Sequence, residues 1–190
     1  ATLFYDLHHL LDKNNPNQSL IRCPATNDYL RNLYAVRSIY DYEFTLSPDG
    51  TAYSPIRDQE FFNSHVIVRS TKERFFSFTQ RSVFFTEEKS LLMTLYEFPT
   101  YENNNITQRC QPVAGSFDIG KWFRNSEFPF FLKKDYDTFK IEKNEVYMYI
   151  RFHTKEKIVF KQFRNTQNIA SYLSDGFALN TQFSNLGKLQ

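Results

Sequence analysis

The side chains that most often perform catalysis or bind metals are few and scattered in this chain. It contains two cysteines and four histidines: Cys23, Cys110, His8, His9, His65 and His153. None of the histidines belongs to an HExxH motif, and no cysteines and histidines have the spacing of zinc ligands. The carboxylates are too dispersed to nominate a hydrolytic pair. The sequence therefore predicts no metal centre and assigns no catalytic residue.

One segment imitates a phosphate-binding loop. Gly115, Gly120 and Lys121 have the spacing of that motif, but Trp122 stands where a hydroxyl residue should bind Mg²⁺. No strand-loop-helix pattern surrounds the segment. Nucleotide binding is therefore disfavoured here, and Trp122 is expected to be a core or rim aromatic.

Alternation of aromatic and charged residues is the strongest pattern in the chain. Over residues 38–46, Tyr40, Tyr42 and Phe44 alternate with Asp41 and Glu43. A period of two is typical of a strand with two unlike faces. The charged face of such strands could line a partly polar cavity, or it could simply face solvent. Arg81, Arg151, His153 and Lys161 raise the same two alternatives.

The elements that must position these residues are mostly short strands. Leu3, Leu7, Leu10 and Leu11 have helical spacing, which predicts one N-terminal helix over 1–15 that ends before Pro16. A short second helix could start near Thr26. Nine strands are predicted after it, at residues 38–46, 65–69, 74–85, 91–98, 106–113, 128–134, 139–142, 146–154 and 157–164.

This pattern predicts a single, mainly β domain spanning residues 1–190. We expect an antiparallel meander of about nine strands that closes into a calyx-like barrel, with a sandwich as the alternative. Residues 165–190 are predicted to form a C-terminal tail. The chain of 190 residues is the right length for one such domain.

Composition limits the partners and the location. Aromatic residues make up 18 % of the chain, whereas the formal net charge is only +2. So small a charge disfavours binding to nucleic acids, although basic and aromatic residues do mix in some strands. No apolar run approaches the ~20 residues of a membrane-spanning helix. We expect a soluble protein with reduced thiols that is either cytoplasmic or has had a leader removed; the resemblance described below adds the plastid stroma as an alternative.

A family resemblance rests on the order of residues in the first half of the chain. Ser38-Ile39-Tyr40-Asp41-Tyr42, followed by Tyr53-Ser54-Pro55-Ile56-Arg57-Asp58-Gln59, resembles the Tyr-Asp-Tyr strand and Pro-Tyr-Arg-Gln segment of T-type phycobiliprotein lyases. Asn17-Gln18, Arg109-Cys110 and the segment 160–164 are similar to further elements of that family. The similar region spans residues 17–164. It differs from the family at Ile56 and Arg109, and it lacks the family's late tryptophan motifs.

The resemblance implies a bilin-binding chromophore lyase or chaperone. Its ligand would be an open-chain tetrapyrrole, phycoerythrobilin or phycocyanobilin, and its protein partner a phycobiliprotein subunit that carries the acceptor cysteine. Asp41 would lie at the pyrrole nitrogens and Arg57 at a propionate, while Tyr40, Tyr42 and Tyr53 would form the wall and Gln59 would complete the site. Orientation of the bilin would suffice for thioether formation, so no covalent catalytic residue is required.

A second function class is open on the sequence alone. With 21 Phe and 12 Tyr, the chain could have more aromatic residues than its own core can bury. Aromatic residues are enriched at the centres of protein interfaces. The chain could therefore be a non-enzymatic structural or assembly subunit that binds protein partners, or a homodimer.

Overall fold

The protein is built mainly from antiparallel β-sheets with a few short helices. The computed structural model describes residues 2–3, 23–47, 51–80, 82–98, 104–123, 125–162 and 167. The strands are β1 (Thr2–Leu3), β2 (Leu33–Arg37), β3 (Tyr42–Leu46), β4 (Ala52–Tyr53), β5 (Val66–Ser70), β6 (Phe75–Phe78), β7 (Leu92–Tyr96), β8 (Cys110–Pro112), β9 (Gly115–Asp118), β10 (Phe128–Leu132), β11 (Thr138–Ile141) and β12 (Val146–Phe152). The helices are α1 (Pro24–Leu30), α2 (Gln59–His65) and α3 (Asn105–Arg109).

The strands form three sheets. The first has the order β1-β2-β12-β7-β9, the second β5-β6-β10-β8 and the third β11-β3-β4. Within each sheet, every pair of neighbouring strands is antiparallel. Within the described residues no sheet closes on itself into a barrel. The mainly β antiparallel prediction is thus confirmed, and the barrel closure stays a prediction.

One hydrophobic core joins the three sheets. Phe44 of β3 packs against Phe76 of β6 and Phe139 of β11, with ring centres 5.1 and 4.8 Å away. Met148 and Ile150 of β12 bring the five-stranded sheet into the same cluster. Burial of each such side chain stabilises the fold by about 1.5–3 kcal/mol. The interior therefore holds the three sheets together as one unit.

Strand β12 is buried on both faces. Its register against β2 shifts between Val146 and Met148, so Tyr147 is the extra residue of a β-bulge. The bulge turns Tyr147 toward the main core, whereas Val146 and Tyr149 face a smaller cluster with Leu30 of α1. Helix α1 thus covers the outer face of the five-stranded sheet.

Several predicted elements are wrong in part. Thr2 and Leu3 form strand β1, where the leucine spacing predicted a helix; the rest of that helix, like the tail at 165–190, falls outside the described residues apart from Gln167. The strand predicted at 106–113 begins instead with α3, and 157–162 contain no strand. Helix α2 was not predicted at all, whereas the short helix near Thr26 is confirmed as α1.

The charged residues that could have lined a cavity lie outside the main core. Arg151 faces α1, where its Nη2 donates to the Asp28 carbonyl at 2.7 Å. His153, Lys161 and Asp41 are exposed, and Glu43 is half-buried. Arg81 lies outside the described residues. The structure therefore confirms the solvent-facing alternative for Asp41, His153 and Lys161, whereas Arg151 packs on α1.

Candidate functional site

The turn between β2 and β3 and the start of α2 bring part of the predicted site together. Ser38 anchors the turn: its Oγ donates to the Tyr40 carbonyl at 2.6 Å and accepts from Gln80 Nε2 at 2.9 Å. Asp58 caps α2, because its side chain accepts from the Phe61 backbone N–H at 2.7 Å. These two local structures place Tyr40 beside the first turn of α2.

Four rings form an aromatic cluster at this position. Tyr40 lies 5.5 Å from Phe61 and 6.1 Å from Tyr42, both in edge-to-face geometry. Phe61 stacks on His65 with ring centres 4.2 Å apart, and Tyr42 lies 5.7 Å from His65. Such pairs each stabilise the packing by about 0.5–1.5 kcal/mol beyond area burial. The cluster is therefore a rigid aromatic wall.

Arg57 lies against this wall. Its guanidinium carbon is 5.0 Å from the centre of the Phe61 ring and 5.7 Å from that of Tyr40, which is within cation–π range. Its Nε donates weakly to the Asp41 carbonyl at 3.4 Å. Among the described residues, no carboxylate forms an ion pair with this guanidinium. We call Tyr40, Tyr42, Arg57, Phe61 and His65 together the aromatic–arginine surface.

The buried side of the surface contains His65 and Tyr42. The Nδ1 atom of His65 is 2.8 Å from Ser64 Oγ and 2.9 Å from the Phe61 carbonyl, which fixes the ring in place. Burial raises the pKa of Tyr42 far above its usual range; the nearby Tyr40 raises it further and Arg57 lowers it. The Tyr42 hydroxyl therefore stays protonated and neutral at physiological pH.

Three of the predicted residues lie apart from the cluster. The Asp41 carboxylate accepts from the Lys143 backbone N–H at 2.8 Å and is otherwise exposed. Tyr53 is 53 % exposed on the edge strand β4. Gln59 donates to Asn63 Oδ1 at 2.9 Å within α2. The structure thus unites Tyr40, Tyr42 and Arg57, with only the Asp41 carbonyl reaching Arg57.

Phe61 and His65 are members of the surface that the sequence reasoning missed. Their signal was present, because Asp58 is a preferred N-cap residue and Phe61, Phe62 and His65 follow at helical spacing. A helix there places Phe61 and His65 on one face, four residues apart.

The other reactive groups do not form a second centre in the described part of the chain. Cys23 and Cys110 are both free; Cys23 is exposed and Cys110 is buried. No group of three or more His, Cys, Asp or Glu residues there could hold a metal ion. Gly115 to Lys121 form strand β9 and a turn, not a loop before a helix. No described helix is both long and apolar enough to cross a bilayer.

Comparison with known proteins finds no relative for this chain. No family model, no curated protein and no solved structure matches it.

Proposed function

We propose that the chain binds an open-chain tetrapyrrole, phycoerythrobilin or phycocyanobilin, at the aromatic–arginine surface. The single observation that carries the proposal is the position of Arg57, whose guanidinium lies over two aromatic rings without an ion-pair partner among the described residues. A planar anionic molecule needs this combination of an apolar wall and a cation at its edge.

The ligand's propionate is the natural partner of Arg57. A guanidinium can donate two parallel hydrogen bonds to one carboxylate, and such charge-assisted bonds are about twice as strong as neutral ones. The flat conjugated body then packs on Tyr40 and Phe61. The pyrrole N–H groups are donors, and the family resemblance assigns Asp41 as their acceptor; its carboxylate lies apart from the cluster but is exposed.

In this proposal the three sheets are the walls of a calyx-like barrel and the aromatic–arginine surface lies at its rim. Support comes from the core cluster, to which all three sheets contribute. When the ligand is bound at the rim, its ring A side chain remains accessible to a phycobiliprotein subunit. The acceptor cysteine's S–H then adds across a carbon–carbon double bond of that side chain, forming the C–S bond of the thioether while the proton goes to the neighbouring carbon. The chain acts as lyase or chaperone by holding the bilin in one conformation.

A bilin titration followed by absorption tests the proposal. Added at micromolar concentration, the protein should shift and sharpen the long-wavelength band of phycoerythrobilin or phycocyanobilin, because a fixed conformation replaces a flexible one. The matched control is Arg31→Ala, which removes an exposed arginine whose ion pair with Asp28 spans 3.8 Å. This variant should bind like the wild type. An unchanged bilin spectrum with well-folded wild-type protein contradicts the proposal.

The same surface also favours a second function, assembly with a protein partner. Ile39 and Ile56 are 51 and 47 % exposed and adjoin Tyr40 and Arg57 in the chain. An exposed apolar group around an arginine is typical of an interface centre. Light scattering after size-exclusion chromatography separates the two: a stable homodimer that Ile56→Asp dissociates favours assembly, and a monomer that binds bilin favours the first proposal.

A further inference from the structure

Four buried hydroxyl groups have no protein hydrogen-bond partner in the described part of the chain. They belong to Tyr42, Ser82, Ser126 and Tyr147, and we call them the hydroxyl cluster. A buried hydroxyl without a partner costs about 1–3 kcal/mol. Because more than nine in ten buried polar groups in proteins are paired, four such groups in one chain require an explanation.

Aromatic contacts connect the two tyrosines of the cluster. The Phe78 ring contacts both Tyr42, at 4.6 Å, and Tyr147, at 5.2 Å. Its strand partner Phe128 lies 5.1 Å from Tyr147 in edge-to-face geometry. The cluster's two tyrosines therefore lie against the same Phe78 ring, and Tyr147 also contacts Phe128.

The serines complete the cluster from the next stretch of chain. Ser126 precedes Phe128 by two residues and is only 3 % exposed. Its backbone N–H donates to the Ser82 carbonyl at 2.7 Å, and its carbonyl accepts from Thr79 Oγ1 at 3.0 Å. These bonds occupy the main chain of Ser126, while the hydroxyls of both serines are buried without a protein partner among the described residues.

All four groups are uncharged. Burial raises the pKa of Tyr147 well above its usual range, and the neighbouring Tyr42 raises it further, so both tyrosines remain protonated. Each hydroxyl can both donate and accept. An ion would be costly in such surroundings, whereas a neutral molecule with both capacities can satisfy several hydroxyls at once.

We propose that the hydroxyl cluster is a binding site for a small, neutral, hydrogen-bonding guest, and that water fills this role in the free protein. The site adjoins the aromatic–arginine surface at Tyr42, which belongs to both. The hydrogen bonds from Gln80 to Ser38 and from Ser38 to the Tyr40 carbonyl link the same region to the turn that bears Tyr40. This inference does not depend on whether the surface binds a bilin.

The sign of a stability change tests the proposal. Tyr147→Phe removes one hydroxyl and keeps the ring. If the hydroxyl binds water, its loss should raise the unfolding equilibrium constant about three- to tenfold, the effect of losing one ordinary hydrogen bond. If the hydroxyl has no guest, the variant loses only an unsatisfied group and unfolds less readily. An unchanged or lower constant therefore overturns the proposal. Tyr29→Phe, at a residue 42 % exposed, is the control and should leave the constant unchanged.

A direct measurement on the wild-type protein does not rely on the variant folding well. Oxygen-17 relaxation dispersion of the solvent detects water that stays inside a protein long enough to tumble with it. We expect such water in the wild type, and less of it in the double variant Ser126→Ala, Tyr147→Phe. Equal dispersion in the two proteins, or none in the wild type, overturns the assignment.

Discussion

The guanidinium of Arg57 rests on the ring of Phe61, at 5.0 Å from its centre. The ring of Phe61 in turn stacks on the ring of His65, with ring centres 4.2 Å apart. The position of the cation therefore depends on the first turn of α2, which in turn depends on the cap at Asp58. Arg57 is thus presented on a rigid support, although it belongs to the loop before the helix.

The Asp58 cap should be measurable as stability. Asp58→Ala removes the acceptor of the Phe61 N–H and should lower the free energy of unfolding by about 1 kcal/mol. Asp58→Asn keeps an acceptor and is the matched control; it should lower the free energy of unfolding by only a small part of that amount. Urea unfolding curves compare the two. Equal losses in both variants would show that the cap bond is not the cause.

The two thiols should react very differently. Hydrogen bonds from the backbone and then the side chain of Thr26 hold the pKa of the exposed Cys23 below its ordinary value, whereas burial raises the pKa of Cys110 to about 12. Iodoacetamide reacts with the thiolate. Because the pKa of Cys23 is lowered, its alkylation should begin at a pH below the pKa of an ordinary thiol, about 8.5. Cys110 should react far more slowly, because its thiol is buried and becomes accessible only through transient opening.

Mass spectrometry of alkylated peptides over a pH series measures both rates. Denatured protein is the control, because both cysteines are then accessible and should react alike. Comparable alkylation of the two cysteines in native protein would mean that Cys110, in β8 beside β10, is not buried.

Two glycines in one strand-and-turn segment should respond oppositely to alanine. A Cβ at Gly120 would lie 2.5 Å from the Glu88 carbonyl oxygen, so the backbone there must move. Gly120→Ala should lower the free energy of unfolding by about 1–3 kcal/mol, as overpacking does. At Gly115 a Cβ meets nothing within 4 Å, and Gly115→Ala should stay within about 0.5 kcal/mol of the wild type. Thermal unfolding of both variants checks the contrast, which a large loss at Gly115 would contradict.

The alternation of residue types predicted strands well where one face is buried and the other is not. Of the predicted apolar set Tyr40, Tyr42, Phe44 and Leu46, the last three lie in β3 and are buried, whereas Tyr40 precedes the strand and is exposed. Prediction failed at α3, because Ile106 is its one fully buried side chain and so there is no helical apolar period. The helix depends instead on the capping box between Asn104 and Thr107, which satisfies backbone N–H groups locally.

Long-range packing explains features of β12 that its correctly predicted strand pattern did not indicate. β12 is apolar on both faces because α1 covers one of them and because the bulge at Tyr147 redirects one residue inward. Neither the helix contact nor the bulge has a local signal. In the same way, Arg151 has the alternation expected of a cavity wall, but its guanidinium binds carbonyls at the end of α1.

The site was predictable to the extent that it is local. Tyr40 and Tyr42 share a segment, and Arg57 follows a Pro-containing turn that the family resemblance singled out. Phe61 and His65 were missed because no helix was predicted over 59–65, although Asp58 is a preferred N-cap residue. The buried Tyr147 hydroxyl was missed because only the fold brings β12 beside β6 and β10.

The affinity of the bilin for Arg57 variants tests the central claim most directly. Arg57→Lys keeps the charge but loses the two-pronged donor, and Arg57→Ala loses both, so binding should weaken in that order, by about 1.5–3 kcal/mol for alanine. Absorption titrations of the wild type, the two variants and Arg31→Ala give the four dissociation constants, with thermal unfolding to confirm that each protein is folded. We predict weaker binding for both Arg57 variants and wild-type binding for Arg31→Ala. Equal affinity of wild type and a folded Arg57→Ala would contradict the account.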